Sequence, residues 1–293
     1  MKAIYKADKI FIIIYFVIIC SVGIFLFFLS DNNYRILIFT LLTEIFYLLF
    51  STRKYHKRLK VINTPFPQDW DNFIKTKSKF FNNIDDKHKK RFINDIKIFM
   101  SEFNVEGIKG KKIDEKTKLL IAMGIATVLN GRPDWEPPIR DSIVVYPGRN
   151  FDENFKIGEG NYAGMAPLNG PMILSKDSLK ASFENQTDGY NVLFHEIAHY
   201  FDWEDGEAEG VPAVRMLSNT IIPWKKVIYD EWEKANKGQS FLGSYAGKNQ
   251  AELFAVATEF FFEKPHLLRE KNPELYELLK NFFNMDTEKL IPY

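Results

Sequence analysis

The sequence predicts a mainly helical α+β domain with one small sheet, preceded by a hairpin of two membrane-spanning helices. Three observations lead to this fold class. Two long apolar runs lie within the first fifty residues. Helical spacing of apolar residues dominates the rest of the chain. Only two short apolar or β-branched runs bounded by glycine and proline, 142–148 and 170–176, indicate strands.

The first apolar run, residues 10–29, is predicted to cross a membrane. It contains no charge between Lys9 and Asp31, and about twenty helical residues at about 1.5 Å each span roughly 30 Å of hydrocarbon. A cleaved signal peptide is the alternative. Its apolar core would be about 7–15 residues long and followed by small residues near a cleavage site, and the sequence offers no such site. We therefore expect a transmembrane helix.

The second run, residues 35–50, is the weaker span because Glu44 lies near its middle. A carboxylate costs a few kcal/mol in lipid unless it is paired or neutral. The loop between the two runs is short, which suits a tight helical hairpin. With the basic segment that follows, residues 1–62 are predicted to form a membrane anchor and stalk, and residues 63–293 a separate domain that begins with a proline-containing linker at 63–70.

Basic residues flank the hairpin on both outer sides and are almost absent from its loop. They are Lys2, Lys6 and Lys9 before it, and Arg53, Lys54, Lys57, Arg58 and Lys60 after it. This distribution predicts that both ends face the cytoplasm from the inner (cytoplasmic) membrane. Beyond residue 61 acidic residues outnumber basic ones, which argues against a nucleic-acid partner. The single cysteine, Cys20, lies in the first span, so the domain can form no disulfide.

The domain is predicted to contain at least six helices. Phe92, Ile96 and Phe99 recur at helical spacing after Asp85. The other predicted helices are one from Asp114 to Asn130, one that carries residues 191–202 with Asp188 near its start, one from Pro223 to about Lys237, one from Asn249 to Glu263, and one after Pro273.

The sequence His195-Glu196-Ile197-Ala198-His199 is the strongest functional signal, in a chain with only five histidines. Residues i and i+4 share one face of a helix, so both imidazoles can reach one metal ion. Zinc accepts neutral imidazole and in catalytic sites keeps an open position for water. Glu196 is placed to take the proton of that water as a general base. Coincidental packing of two histidines is the alternative, and the pattern favours metal-assisted hydrolysis over it.

Three acidic residues outside the motif are candidates for further roles at the metal. Asp202 follows His199 by three residues and is better suited to orient that ring than to bind the metal; alternatively it is an exposed acid at a helix end. Glu252 and Glu259 lie seven residues apart on an otherwise apolar helix. Glu252 is the better third ligand, but its spacing from Asn249 also suits a helix-capping role.

The motif HEIAHYFD, the acidic loop that ends in Gly210-Val211-Pro212, and the segment 244–262 resemble the MtfA-like zinc metallopeptidases. The catalytic domain of that family is similar to that of anthrax lethal factor, and the resemblance covers roughly residues 65–290. It implies a zincin-like domain with Glu252 as third zinc ligand and Tyr245 as the residue that stabilises the oxyanion. Glu259 is then expected behind the ligands, with Asp202. The N-terminal hairpin departs from the family's better-known soluble members.

The sequence therefore predicts a membrane-tethered zinc peptidase that acts on peptide or protein substrates, with aminopeptidase and endopeptidase activity left open. Tyr245 could donate to a developing negative charge, although an ordinary half-buried tyrosine fits the sequence as well. The main alternative is a zinc-binding regulatory module with weak catalysis, because the family resemblance implies a transcriptional-regulator partner. A structural membrane protein with an accidental motif is the third possibility. Strand 170–176 is expected at the sheet edge, where a peptide could pair with it.

Overall fold

The structure, a computed structural model, describes residues 6–30, 33–139, 142–151, 162–168 and 170–291. The chain divides into two compact units, Met1–Pro65 and Phe66–Tyr293. The first contains two helices, α1 (Lys6–Leu29) and α2 (Tyr34–Ile62). Both are long and apolar enough to cross a membrane. The basic stalk is not a separate segment, because α2 continues without a break through it to Ile62.

Polar and small residues lie where α1 and α2 meet. The Cys20 thiol donates to Glu44 Oε1 at 3.4 Å, and Glu44 is only 4% exposed. Three residues further along α1, a Cβ atom on Gly23 would lie 2.4 Å from the side chain of Thr40. Glycine therefore permits a close approach of the two helices, as small residues do in helix pairs. The hairpin encloses the carboxyl group of Glu44 instead of exposing it.

The second unit is mainly helical. Its helices are α3 (Gln68–Lys77), α4 (Lys79–Asn83), α5 (Asp86–Glu102), α6 (Glu115–Val128), α7 (Lys176–Glu184), α8 (Val192–Asp202), α9 (Ser218–Asn236), α10 (Gln250–Glu263), α11 (Pro265–Lys271), α12 (Pro273–Phe283) and α13 (Thr287–Leu290). Its strands are β1 (Asn104–Gly107), β2 (Lys111–Lys112), β3 (Ser142–Tyr146), β4 (Gly164–Met165) and β5 (Met172–Ser175). The predicted α+β class with one small sheet is confirmed.

Helix caps explain where the predicted helices begin. Asp85 accepts a hydrogen bond from the His88 N–H at the start of α5, and Asp114 accepts one from the Thr117 N–H at the start of α6. Such caps satisfy backbone donors that have no partner within the helix. The apolar face of α5, including Phe92, is fully buried. The helices predicted from apolar spacing and caps are therefore present.

Two expectations about the elements were wrong. The helix expected to start at Pro223 begins at Ser218, so Pro223 lies inside α9 and not in its first turn. The strand expected at the sheet edge, β5, is internal. The strand order is β2-β1-β3-β5-β4, with β5 parallel to β3 and antiparallel to β4. The two edge strands are β2 and β4, and β4, which lies beside β5, is too short to show an alternating pattern in the sequence.

Candidate active site

Helix α8 carries the motif and is buried on almost every side. Ten of its eleven residues are buried, so its polar side chains need partners within the fold. The helix starts at a side-chain cap, because Asn191 Oδ1 accepts hydrogen bonds from the N–H groups of Leu193 and Phe194, both at 3.2 Å. Asn191 is thus the N-cap of α8, and Asp188, expected near the start of this helix, lies three residues before the cap. Helix α10 packs along α8 and brings its glutamates to the motif.

Three side chains from α8 and α10 converge on one point. His195 Nε2 lies 3.2 Å from His199 Nε2 and 3.1 Å from Glu252 Oε2, and His199 Nε2 lies 3.5 Å from Glu252 Oε2. Tetrahedral zinc with bonds of about 2.0–2.1 Å places its ligands about 3.3 Å apart. The three donor atoms therefore have the spacing of a metal site, and their chemistry suits zinc.

Glu259 lies behind the first of these ligands. Its Oε1 atom is 2.7 Å from His195 Nδ1, and its Oε2 atom accepts a hydrogen bond from the Asn191 N–H at 2.6 Å. A carboxylate at Nδ1 favours the tautomer in which Nε2 is free to bind a metal. Glu259 is 2% exposed, and both of its oxygens are used in this way. The structure therefore brings Glu259 to the position expected of a ligand-orienting group.

Asp202 was expected to orient the His199 ring, but its carboxylate binds elsewhere in the structure. The Asp202 carboxylate accepts hydrogen bonds from the N–H groups of Gly210 and Val211, at 2.9 and 2.6 Å. It therefore fixes the loop that returns to α8 and makes no hydrogen bond to His199 among the described residues. His199 Nδ1 is buried without a hydrogen-bond partner there. Instead, the Trp203 ring stacks on the imidazole, with centroids 5.3 Å apart and planes 18° apart.

The structure shows whether the Glu252 side chain caps helix α10 or faces the two histidines. The N-terminus of α10 is capped by the Asn249 side chain, which accepts from the Glu252 N–H at 2.8 Å. The Glu252 carboxylate points the other way, toward the two histidines and Tyr245. Its side chain is 15% exposed. The backbone of Glu252 thus belongs to the cap, while its carboxylate belongs to the cluster of metal-binding donors.

Tyr245 lies at the mouth of the cluster. Its hydroxyl donates to Glu252 Oε1 at 3.3 Å, and its ring centroid is 5.8 Å from that of His195. Lys248 Nζ lies 4.4 Å from the centre of the Tyr245 ring, within the range of a cation–π contact. Burial, followed by the charge of Glu252, raises the pKa of the phenol. The hydroxyl therefore keeps its proton and remains a hydrogen-bond donor at neutral pH.

Glu196 follows the first ligand and faces the same cavity. It is 5% exposed, and burial raises its pKa to about 8, although the neighbouring His195 opposes the rise. Strand β4 lies against it, because a Cβ atom on Gly164 would stand 2.4 Å from Glu196 Oε1. A nearby cation would lower this raised pKa by stabilising the carboxylate. No sequence pattern pointed to Gly164, because it lies in a strand of only two residues.

Charges within the cluster are strongly coupled. Burial opposes a charge on His195, but the hydrogen bonds with Glu252 and Glu259 outweigh it and raise the His195 pKa. Burial alone would raise the pKa of Glu252, but the hydrogen bonds with both histidines lower it. Burial is also the main cause of the lowered pKa of His199. Glu252 is thus ionised, and a divalent cation, which binds a carboxylate and neutral imidazoles, would displace the proton that the raised pKa favours on His195.

A cavity of about 900 Å³ opens beside the cluster. Such a volume lies within the usual range of ligand pockets. His195, Glu196, Tyr245, Lys248 and Glu259 form its polar side. Its remaining walls come from β4 and the two residues ahead of it, the loop before α8, the first residue of α8, the segment between α9 and α10, and α10 itself. The lining residues there are Tyr162, Ala163, Gly164, Gly189, Tyr190, Val192, Leu242, Val256 and Phe260. The catalytic candidates therefore face a space large enough for several residues of a ligand.

Metallopeptidases typically combine these features: a buried helix with an HExxH motif, here HEIAH, a further ligand supplied by a second helix, and an adjoining cleft. The profile of the glucose-regulated metallo-peptidase M90 family matches residues 52–284, and the chain belongs to this family. The resemblance to the MtfA-like metallopeptidases is thereby confirmed. Membership in a metallopeptidase family implies a metal ion.

Individual relatives carry names of two kinds. An uncharacterized protein of Synechocystis is 25% identical over 247 residues, which cover 78% of this chain and 87% of the relative. The Mlc titration factor A of Pectobacterium atrosepticum is 29% identical over 160 residues, which cover 49% of this chain and 59% of the relative. The protein of the same name from Cronobacter sakazakii is 23% identical over 220 residues, which cover 69% of this chain and 81% of the relative.

Proposed function

We propose that the protein is a zinc-dependent peptidase with a zincin-like catalytic domain, held at a membrane by its N-terminal hairpin. The observation that carries the proposal is the convergence of His195 Nε2, His199 Nε2 and Glu252 Oε2 at mutual distances of 3.1–3.5 Å. These three groups would hold zinc. The ion supplies Lewis acidity, which makes water a stronger acid and polarises a carbonyl group.

Glu196 acts as the general base in this proposal. Its carboxylate faces the cavity next to the ligand cluster, and the zinc charge would favour the ionised form that accepts a proton. Glu196 would take a proton from a water molecule as the water oxygen attacks the carbonyl carbon, and would then pass that proton to the amine as the C–N bond breaks. The close contact with Gly164 limits the positions open to the carboxyl group. The base is thus confined between the ligand cluster and β4.

Tyr245 donates a hydrogen bond during the reaction. In the structure its hydroxyl bonds to Glu252, and a small rotation of the exposed side chain would direct the same O–H toward a substrate oxygen. A donor aimed at a developing negative charge lowers the barrier more than it strengthens substrate binding. The raised pKa of Tyr245 keeps the proton on the phenol while it does so.

The cleft supports a peptide as the substrate. Its wall includes β4, one of the two edge strands of the sheet, and an edge strand offers backbone N–H and C=O groups to an extended chain. Much of the rest of its wall is apolar, with Val192, Leu242 and Val256 among its lining residues. Backbone pairing on one side and apolar walls on the other suit a peptide in extended conformation. The choice between aminopeptidase and endopeptidase stays open.

The proposed location is the cytoplasmic membrane, with the catalytic domain on the cytoplasmic side. Two helices of sufficient length and apolarity support the anchor, and the enclosed Glu44 removes the main objection to the second span. The flanking lysines and arginines support the orientation. The domain would then act on substrates in the cytoplasm, close to the membrane surface.

A zinc-binding module that captures a protein partner is the second candidate function. It is favoured by the name of several relatives, Mlc titration factor A, which refers to titration and not to cleavage. A transcriptional regulator would be the partner in that case. Glu196 argues for catalysis, because a module that only binds has no use for a buried acid beside the ligands.

The test uses the full chain in detergent, loaded with zinc and offered a peptide library. We expect one zinc per chain and cleavage of a subset of peptides. Glu196→Gln should keep the zinc, because all three ligands remain, and should lower turnover by at least about a hundredfold. Glu231→Gln, a buried glutamate on α9 outside the site, is the control and should keep its activity. Stoichiometric zinc with no cleavage of any peptide would favour the capture module.

A further inference from the structure

Helix α10 directs three glutamates toward α8, and the proposed reaction uses only two of them. Glu252, Glu259 and Glu263 are spaced by seven and four residues, which places them on one face of the helix. Glu252 contacts both histidines, and Glu259 contacts His195. Glu263 lies about one turn further from the cluster and is 3% exposed. Fully buried glutamates are rare unless they have partners, so Glu263 requires an explanation of its own.

Glu263 accepts hydrogen bonds from the loop that enters α8. Its Oε1 atom accepts from the Asn191 side-chain amide at 3.0 Å, and its Oε2 atom accepts from the Gly189 N–H at 3.2 Å. Gly189 has a φ of +77°, a conformation that glycine adopts without strain. Burial raises the pKa of Glu263 to about 9. The carboxyl group is therefore neutral at pH 7 and needs no buried counter-charge.

Asn191 connects these contacts to the metal-binding residues. Its side chain caps α8, and its carbonyl oxygen accepts from the His195 N–H at 3.0 Å in the first turn. Its own N–H donates to Glu259, the residue that also contacts His195 Nδ1. The start of α8 is thus held to α10 by two carboxyl groups, and the third glutamate of the same face belongs to the ligand cluster.

We infer that Glu263 is a positioning residue for the metal site, which fixes the start of α8 against α10 through Asn191 and Gly189. The two histidines and Glu252 come from different helices, so their spacing depends on how those helices are held together. Outer groups that orient ligands change metal affinity when they are replaced. The inference rests on the proposed zinc site but not on the proposed peptidase activity.

The experiment measures zinc affinity in the full chain in detergent, by competition with a chromophoric chelator. Glu263→Leu removes both acceptors at similar volume and should weaken zinc binding about tenfold, the lower end for outer groups. The visible absorption of the Co²⁺-loaded variant should also change, because it reports the ligand geometry. Glu263→Gln keeps one acceptor and should have an intermediate affinity. It also provides the test if the leucine variant does not fold.

Glu231→Leu is the matched control. Glu231 is 2% exposed and accepts hydrogen bonds from Ser240 and Asn272 at 2.6 and 2.8 Å, but it lies on α9. Its replacement should lower the melting temperature while zinc affinity changes less than about twofold, as expected for a site it does not support. Equal zinc affinity in the wild type and both Glu263 variants would overturn the positioning role alone. A wild type that binds no zinc would overturn the metal site as well.

Discussion

The side chains of Asn249 and Glu252, at the start of α10, have different roles, and each can be replaced separately. Asn249 caps the helix, whereas Glu252 faces the histidines. We expect Asn249→Ala to cost about 1 kcal/mol of stability, as lost caps do, and to keep stoichiometric zinc. Glu252→Ala should lose most of its zinc at nearly unchanged helix content, because one of three protein ligands is gone. Metal analysis and thermal melting of both variants provide the comparison.

A different result for the Glu252 variant would assign its side chain a capping role. If Glu252→Ala kept its zinc and melted lower, the residue would be a cap, as its spacing from Asn249 also allowed. Asp202→Asn is a useful companion variant, because Asp202 binds the N–H groups of Gly210 and Val211. It should weaken the loop and leave zinc bound, with a smaller loss of affinity than for Glu252→Ala.

The buried carboxyl group of Glu263 predicts a pH dependence of stability. Its pKa is about 9 in the folded chain against an ordinary value of 4.5, so the folded state holds a proton that the unfolded state releases between these values. This contribution is fully present below about pH 4.5 and is lost as pH rises toward 9. Melting of metal-free protein should therefore show the advantage of wild type over Glu263→Gln shrinking from pH 5 to pH 9. A constant difference would contradict the raised pKa.

At the scale of elements, α8 and α10 form the walls of the cleft as well as the metal site. Val256 on α10 lines the cavity and is 7% exposed. Replacing it with phenylalanine should fill part of the cavity and lower kcat/KM for peptides with large apolar side chains about tenfold, the scale of one pocket contact. Val256→Ala should shift the preference toward larger side chains. Cleavage profiles over a peptide library are the measurement.

Val227→Ala is the control for this pair of variants. Val227 is buried on α9 and does not line the cavity. Its truncation should cost similar stability and leave the cleavage profile unchanged. If the two Val256 variants also kept the wild-type profile, the apolar walls of the cavity would not contribute to substrate choice.

The elements that sequence predicted well are those with long patterns and clear caps. Helices α5 and α6 repeat apolar residues over several turns after Asp85 and Asp114. Strands β1, β2 and β4 have two to four residues, too few for an alternating pattern to be distinguished from a loop. The edge position of β4 arises from pairing between distant parts of the chain. For that reason β5 was wrongly expected at the edge.

In the candidate site, too, contacts within one helix could be predicted from the sequence, whereas contacts between distant parts of the chain were harder to predict. The spacing of His195 and His199 follows from helix geometry and could be predicted. The approach of Glu252 depends on the packing of α8 against α10, so its position on an apolar helix only suggested a ligand, and the family resemblance added the remaining support. Asp202 was expected to turn toward His199, but the loop that ends at Val211 returns close enough to occupy both carboxylate oxygens. Glu263 could have been found by the argument already applied to Glu259, since it is a further acid on the same apolar helix.

At the scale of the whole molecule, the hairpin predicts a topology. Both termini should lie on the cytoplasmic side, because basic residues flank the two spans and not the loop between them. A reporter fused to the C-terminus should be active only in the cytoplasm, and protease added to intact spheroplasts should leave the domain uncut. Cleavage of the domain by the added protease would show that it faces the outside, the opposite of the predicted orientation. A full-length chain found in the soluble fraction would contradict the prediction of a membrane anchor.

The position of Cys20 in the hairpin has a practical consequence for spectroscopy. It is the only cysteine of the chain, and its thiol donates to Glu44 between α1 and α2. The unit Phe66–Tyr293 therefore contains no sulfhydryl group. A pair of cysteines introduced on α8 and α10 could carry spin labels after a single Cys20→Ser change, and the distance between the labels would report any separation of the two helices as the metal is removed.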